Sequence, residues 1–238
     1  MTPTRRKTAI VDTLDGATAA LVLAAATVTG ADEATIERRL RGALEAGANA
    51  AWLDELTLAA VLFAGFPRAL VFAAVLRRVV PKPADAGDAA DYERWRTWAR
   101  RGEAACQVIY GVNYSKLREN VARLHPVLDP WIIVDGYGRI LSREALDPRR
   151  RELCAIAMLV PQGVPRQLHS HFRGALNSGA SRGDVDGVLD LLEAHAGFAA
   201  GRLALARALW KGLGIGDSGS GKQRRAFQSP IPNPRSRR

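Results

Sequence analysis

Residues 165–180 read PRQLHSHFRGALNSGA, and residues 41–48 read RGALEAGA. Sliding the chain by 132 positions lays Arg41-Gly42-Ala43-Leu44 on Arg173-Gly174-Ala175-Leu176, and Gly47-Ala48 on Gly179-Ala180. In the same register Leu14-Asp15 falls on Leu146-Asp147, Leu21 on Leu153, Asp54 on Asp186, and Ala64-Gly65-Phe66 on Ala196-Gly197-Phe198. Scattered alanines would match by chance. Several distinct runs in one gapless register point instead to an internal duplication.

Around this repeat the punctuation is helical. Asp147-Pro148 opens a helix that runs to about Leu159, with proline suited to the first turn. Pro161, Gly163 and Pro165 make a connection, and a second helix follows to about Ser178, closed by Gly179. Ser181 can cap a third helix ending near His195, and a fourth runs from about Phe198 to Lys211. The expected class is all-α: a first repeat over 14–80, a helical linker region over 81–145 and a second repeat over 146–214. A basic segment, 1–13, precedes these and a basic tail, 215–238, follows them. The linker region opens on the turn-rich Pro81–Gly87 and should hold amphipathic helices near 90–109 and 113–124.

The net charge of +10 suggests nucleic acid until it is located. Residues 217–238 carry six basic side chains against Asp217, and Arg5, Arg6 and Lys7 add three more. Only +2 is left for 8–216, too little for a phosphate-reading face on the folded body. The tail is rich in Gly, Ser, Pro and Arg and is expected to be disordered. No specific nucleic-acid partner is expected.

Leu56–Leu76 is apolar enough in length and composition to raise the question of a membrane span. Its counterpart, 188–208, carries Asp190, Glu193, His195, Arg202 and Arg207, which a bilayer would not accept together. The expectation is therefore no membrane span, with the first-repeat segment buried between units or subunits. Cys106 and Cys154 form no CxxC, which favours a reducing compartment, taken as the cytoplasm.

The pattern Tyr137-Gly138, Ser142-Arg143, Leu146-Asp147, Arg151-Glu152-Leu153, then His171-x-Arg173-Gly174-Ala175-Leu176 and Gly179-Ala180 resembles the carboxymuconolactone decarboxylase family. That family shares its fold with alkylhydroperoxidase D-like proteins. The resemblance spans about 137–180 and extends through the downstream AGF element to about 213. It implies an all-α bundle of hairpins assembled as a homo-oligomer, acting by lyase-type proton transfer on a small carboxylated or lactone-like metabolite. No cofactor and no metal are implied.

Glu152 lies 11 residues before the Gly163 turn and His171 lies 8 after it, so on antiparallel helices the two side chains can meet. A carboxylate beside an imidazole fixes its tautomer and suits proton transfer. The resemblance casts His171 as general acid/base and Glu152 as its partner. Arg143 or Arg173 would anchor a carboxylate, and Gln167 and His195 are further substrate-binding candidates. In the first repeat Ala20 stands for the glutamate and Arg39 for the histidine, leaving that copy as a packing partner.

Two other classes stay open. The peroxidase branch needs a CxxC before the histidine, and those positions here are Val164 and Gln167. A thiol-dependent redox protein would have to use Cys106 or Cys154; a non-catalytic oligomeric binding protein would keep the pocket as scaffold. His169 and His171 stand about 200° apart on a helix and cannot chelate one metal together. The GxxxxGK match at Gly216–Lys222 lacks the following Ser/Thr and a preceding strand.

Overall fold

The computed structural model describes residues 14–195, 197 and 200–213. The expectations for 1–13 and for the basic tail beyond Leu213 lie outside these. Among the described residues every regular element is helical.

Helix α1, Gly16–Thr27, is apolar nearly all round, and Leu21, Val22, Ala24 and Ala25 are fully buried. Such a helix is stable only at the centre of a protein. Asp15 caps it by accepting from Thr18 N at 2.8 Å. Helix α2, Glu33–Glu45, is amphipathic and buries Ile36, Leu40 and Ala43. Helix α3, Ala50–Val79, is broken at Gly65, where φ is 76°. That left-handed conformation favours glycine. Pro67 then sits in the first turn of the second segment, where its missing N–H costs nothing. Arg68 turns back to cap α1, donating through Nε to Val28 O at 2.7 Å and through Nη2 to Ala31 O at 2.8 Å.

By length and composition α3 could cross a membrane. Here Leu53, Leu56, Ala60, Phe72, Val75 and Leu76 enter the main core, while Leu62, Phe66 and Leu70 are exposed.

The linker region differs from its expected pair of helices in two ways. Helix α4, Trp95–Tyr110, starts later, after short 3-10 turns at Gly87–Ala90 and Tyr92–Arg94. Helices α5, Tyr114–Leu124, and α6, Leu128–Trp131, lead into a π-helix over Ile132–Leu141, whose wider ladder leaves no simple sequence period. The π-helix packs intimately on α4 because both carry glycine at the crossing. A Cβ on Gly102 would lie 2.0 Å from Ile133 O, and one on Gly138 would lie 1.9 Å from Trp98 O. Cys106, Ile109, Ile133 and Tyr137 make a small second core there.

Helix α7, Pro148–Leu159, is capped by Asp147 and buried along most of its length. Helix α8 is Pro165–Asn177, α9 is Arg182–His195 and α10 is Ala200–Gly212. Ser181 and Asp184 cap α9 reciprocally, Asp184 N donating to Ser181 Oγ at 3.0 Å and Ser181 N to Asp184 Oδ2 at 2.7 Å. The bounds of α1 and α7 differ by 132 residues at both ends, as do those of α2 and α8. Gly47 and Gly179 share a φ of 91°, and Gly65 and Gly197, at 76° and 63°, both mark breaks.

The glycine crossing makes a direct prediction. Gly102→Ala or Gly138→Ala drives a methyl into backbone and should each destabilise the protein by about 1–3 kcal/mol. Gly42→Ala, at a helical position with nothing within 4 Å, should instead stabilise by up to about 1 kcal/mol. Thermal midpoints of the three variants check both signs.

Candidate functional site

Two helix starts set the depth of the site. The Asp147 cap with Pro148 fixes where α7 begins, and Gly163, at φ 63°, turns the chain into Pro165 and α8. Glu152 and His171 then face each other across the hairpin, with His171 Nδ1 and Glu152 Oε2 2.8 Å apart. They are 3% and 8% exposed. Gly174, one turn beyond His171, is the space that lets Glu152 in, since a Cβ there would sit 2.6 Å from Glu152 Oε2 and 2.9 Å from Ile109 Cγ2. Phe63 comes from α3 and meets the His171 ring edge-on, with centroids 5.2 Å apart at 74°.

Beside this pair lies a cavity of about 240 Å³. Its wall is mostly apolar, built by Phe63, Ile109, Leu141 and Ala155, and Glu152 and Arg151 are its charged members. Glu152 thus lines the cavity directly, whereas His171 contacts two of its wall residues, Glu152 and Phe63.

A second charged group supports the wall. Glu55, 1% exposed on α3, accepts from Arg143 Nε and from Arg151 Nη2, each at 2.8 Å. Arg143 also donates to the carbonyls of Ala86 and Asp85 at 2.7 and 3.2 Å. Arg151 donates to Leu146 O and Arg143 O at 2.8 and 2.6 Å. Burial pulls the Arg151 pKa down, and Glu55 opposes that shift.

The other sequence candidates stand apart from the pair. Arg173 and Gln167 are exposed on α8, and His195 is exposed at the end of α9. Arg39 Nη2 donates to His195 O at 3.0 Å. His169 is held below its ordinary pKa by burial and by Arg173. Tyr110 and Tyr137 lie near Glu152, their rings 6.2 Å apart. Burial pushes Tyr110 up to about 12 and Tyr137 well above its ordinary value. Phe63, Glu55, Arg151 and Ser178 also belong to the site or its support. Only Arg151 carried a local signal, being adjacent to Glu152 in the quoted motif.

Both cysteines are buried, and desolvation raises each thiol from an ordinary value of 9.0 to about 12. Neither forms the thiolate that nucleophilic or redox chemistry needs near neutrality. Among the described residues no three His, Cys, Asp or Glu side chains are grouped to hold a metal ion.

Residues 130–209 match the model of the carboxymuconolactone decarboxylase family. The match takes in α7 and α8 and hence both members of the buried pair. The chain is also similar to Peroxisomal protein 2 of Schizosaccharomyces pombe, 32% identical over 127 residues, covering 51% of this chain and 57% of that protein. A protein of the same name from Saccharomyces cerevisiae is 34% identical over 84 residues, covering 35% of this chain and 30% of that protein. The chain therefore spans a little over half of the first relative and under a third of the second.

The buried thiols predict an alkaline instability. Above about pH 9 each thiol ionises in the unfolded chain but stays protonated in the folded one up to about 12. The folded state then binds more protons, so stability falls as pH rises, by about 1.4 kcal/mol per pH unit for each thiol. Denaturant midpoints between pH 8 and pH 10 should show this fall, and Cys106→Ala with Cys154→Ala should flatten it there, while above pH 10 the buried Tyr110 and Tyr137 add a fall of their own.

Proposed function

We propose that this chain acts as a carboxymuconolactone decarboxylase-like protein, moving a proton on a small carboxylated or lactone-like metabolite. The observation that carries the reading is the 2.8 Å Glu152–His171 bond on the wall of a mostly apolar cavity. The bond to Glu152 orients the His171 ring and couples the two groups for proton transfer. Because Glu152 itself lines the cavity, it is the group that meets the ligand, and His171 tunes and positions it. In a decarboxylation the electron pair of the broken C–C bond enters the substrate's own conjugated sink as CO2 leaves, and a proton drawn from solvent passes through the pair to carbon.

The same reading makes the chain a duplication in which the two units form one site. The matched helix bounds support it, and so do contacts that obey a two-fold exchange. Arg150 Nε donates to Thr18 Oγ1, its own counterpart 132 residues away, at 2.8 Å. Phe63 packs on His171 while Arg39 bonds His195, and these two contacts interchange under the same shift. The first unit lacks the acid–base pair, but it lends Phe63 and Glu55 to the second.

Exposed Leu62, Phe66 and Leu70, 38%, 67% and 65% accessible, support a homo-oligomer that covers them. We read α3 as a core and interface helix rather than a span, and the two free thiols as residents of a reducing, cytoplasm-like compartment.

The function is tested by CO2 release and solvent-deuterium incorporation over a panel of 3-oxo and lactone carboxylates. His171→Ala and Glu152→Gln should each lower kcat by about 10²–10⁴, and the double variant should be little worse than either. Wild-type rates in both single variants would sink the reading. Sedimentation tests the assembly: the wild type should exceed the 25.7 kDa single-chain mass and Phe66→Arg should move towards it. A wild type that sediments as a single chain removes that proposal.

A further inference from the structure

The cavity beside Glu152 has polar groups that nothing in the protein satisfies. Among the described residues, Arg151 Nη1 and Ser178 Oγ are both buried without a hydrogen-bond partner, and both residues line this cavity. Arg151 is 5% exposed, so water does not stand in for the missing partner in bulk. A buried donor left unmade bears the full desolvation of the group, which makes two in one small cavity a costly coincidence.

The rest of the Arg151 guanidinium is committed. Nε bonds Leu146 O, and Nη2 bonds Glu55 and Arg143 O. Glu55 is itself shared with Arg143, so two guanidinium charges divide one carboxylate. Glu152, the other charged group on the wall, is engaged through Oε2 by His171. One guanidinium nitrogen of a residue that lines a mostly apolar chamber is therefore left without a partner.

We propose that Arg151 Nη1 anchors a carboxylate of the ligand and that the Ser178 hydroxyl bonds a second oxygen of the same molecule. The inference rests on the proton-transfer reading of the Glu152–His171 cavity and names its specificity group. It assigns the anchor to Arg151 because the Arg143 nitrogens Nε, Nη1 and Nη2 all bond within the chain and Arg173 is exposed on α8. The ligand is a compact carboxylate with an apolar or unsaturated body, since about 240 Å³ is below the usual size of drug-like sites. The anchored carboxylate is one the product keeps. An ion pair on a departing carboxylate would favour the ground state over the transition state and slow its loss.

The test is binding to the full chain of benzoate, sorbate and levulinate, each beside its neutral amide, by calorimetric titration and thermal midpoint. At least one carboxylate should bind and raise the midpoint, with its amide at least tenfold weaker. Ser178→Ala removes a hydroxyl that holds nothing in the protein, so it should fold normally and weaken that carboxylate about threefold to tenfold. Arg151→Lys keeps a charge near Glu55 but loses the second donor edge, and should weaken it by tenfold or more. If Arg151→Lys fails to fold, Ser178→Ala and the amide series decide. The proposal is overturned if no carboxylate binds the wild type, if the amides bind as tightly, or if the folded variants keep wild-type affinity. Loss of turnover in Glu152→Gln alongside unchanged affinity in both anchor variants removes the anchor and leaves the proton-transfer reading. Carboxylate binding through Arg151 with full turnover in Glu152→Gln does the reverse.

Discussion

The buried carboxylate of Glu55 is the point on which the architecture turns. It comes from α3, accepts Arg143 just after the π-helix and Arg151 in α7, and so joins three parts of the chain at one atom group. A carboxylate this deeply buried is tolerable only with both partners in place, because removing either leaves an uncompensated charge. The bond from Arg143 to the carbonyls of Ala86 and Asp85 ties the turn before α4 into the same knot. Position of the linker, position of the site helix and ionisation of the cluster are therefore one constraint.

What was legible in the sequence was what is local or periodic. Asp147-Pro148, the Gly163 turn and Ser181 each act within one helical turn, and α7, α8 and α9 begin where those residues place them. The Glu152–His171 pairing was also legible, because a hairpin's depth is fixed by counting residues on either side of its turn. Phe63 and Glu55 were not legible. They reach their partners across 108 and 88 or more positions, and neither carries a motif of its own. Glu55 in particular stands where the shifted register has Gly187, so the repeat itself hides it. The π-helix escaped because its side chains follow neither the 3.6 nor the 2.0 residue period.

The first half of the chain packs directly on the Glu152–His171 pair through Phe63. Its α3 break at Gly65 falls two residues after Phe63, so the segment before it ends against His171 while both segments bury residues in the main core. An unbroken helix would run on past that contact. The glycine thus lets one apolar helix change direction just after the His171 contact.

The crossing of α4 with the π-helix has a further consequence, for divergence. Gly102 and Gly138 meet backbone at distances that admit no side chain at all. Ala105, Val108 and Ile109, within two turns of Gly102, form one wall of the cavity. The separation of those two backbones therefore sets where that wall of the cavity stands. A chain that replaced either glycine would have to spread the helices and move that wall outward, so the width of the chamber is written partly in two residues that do not line it.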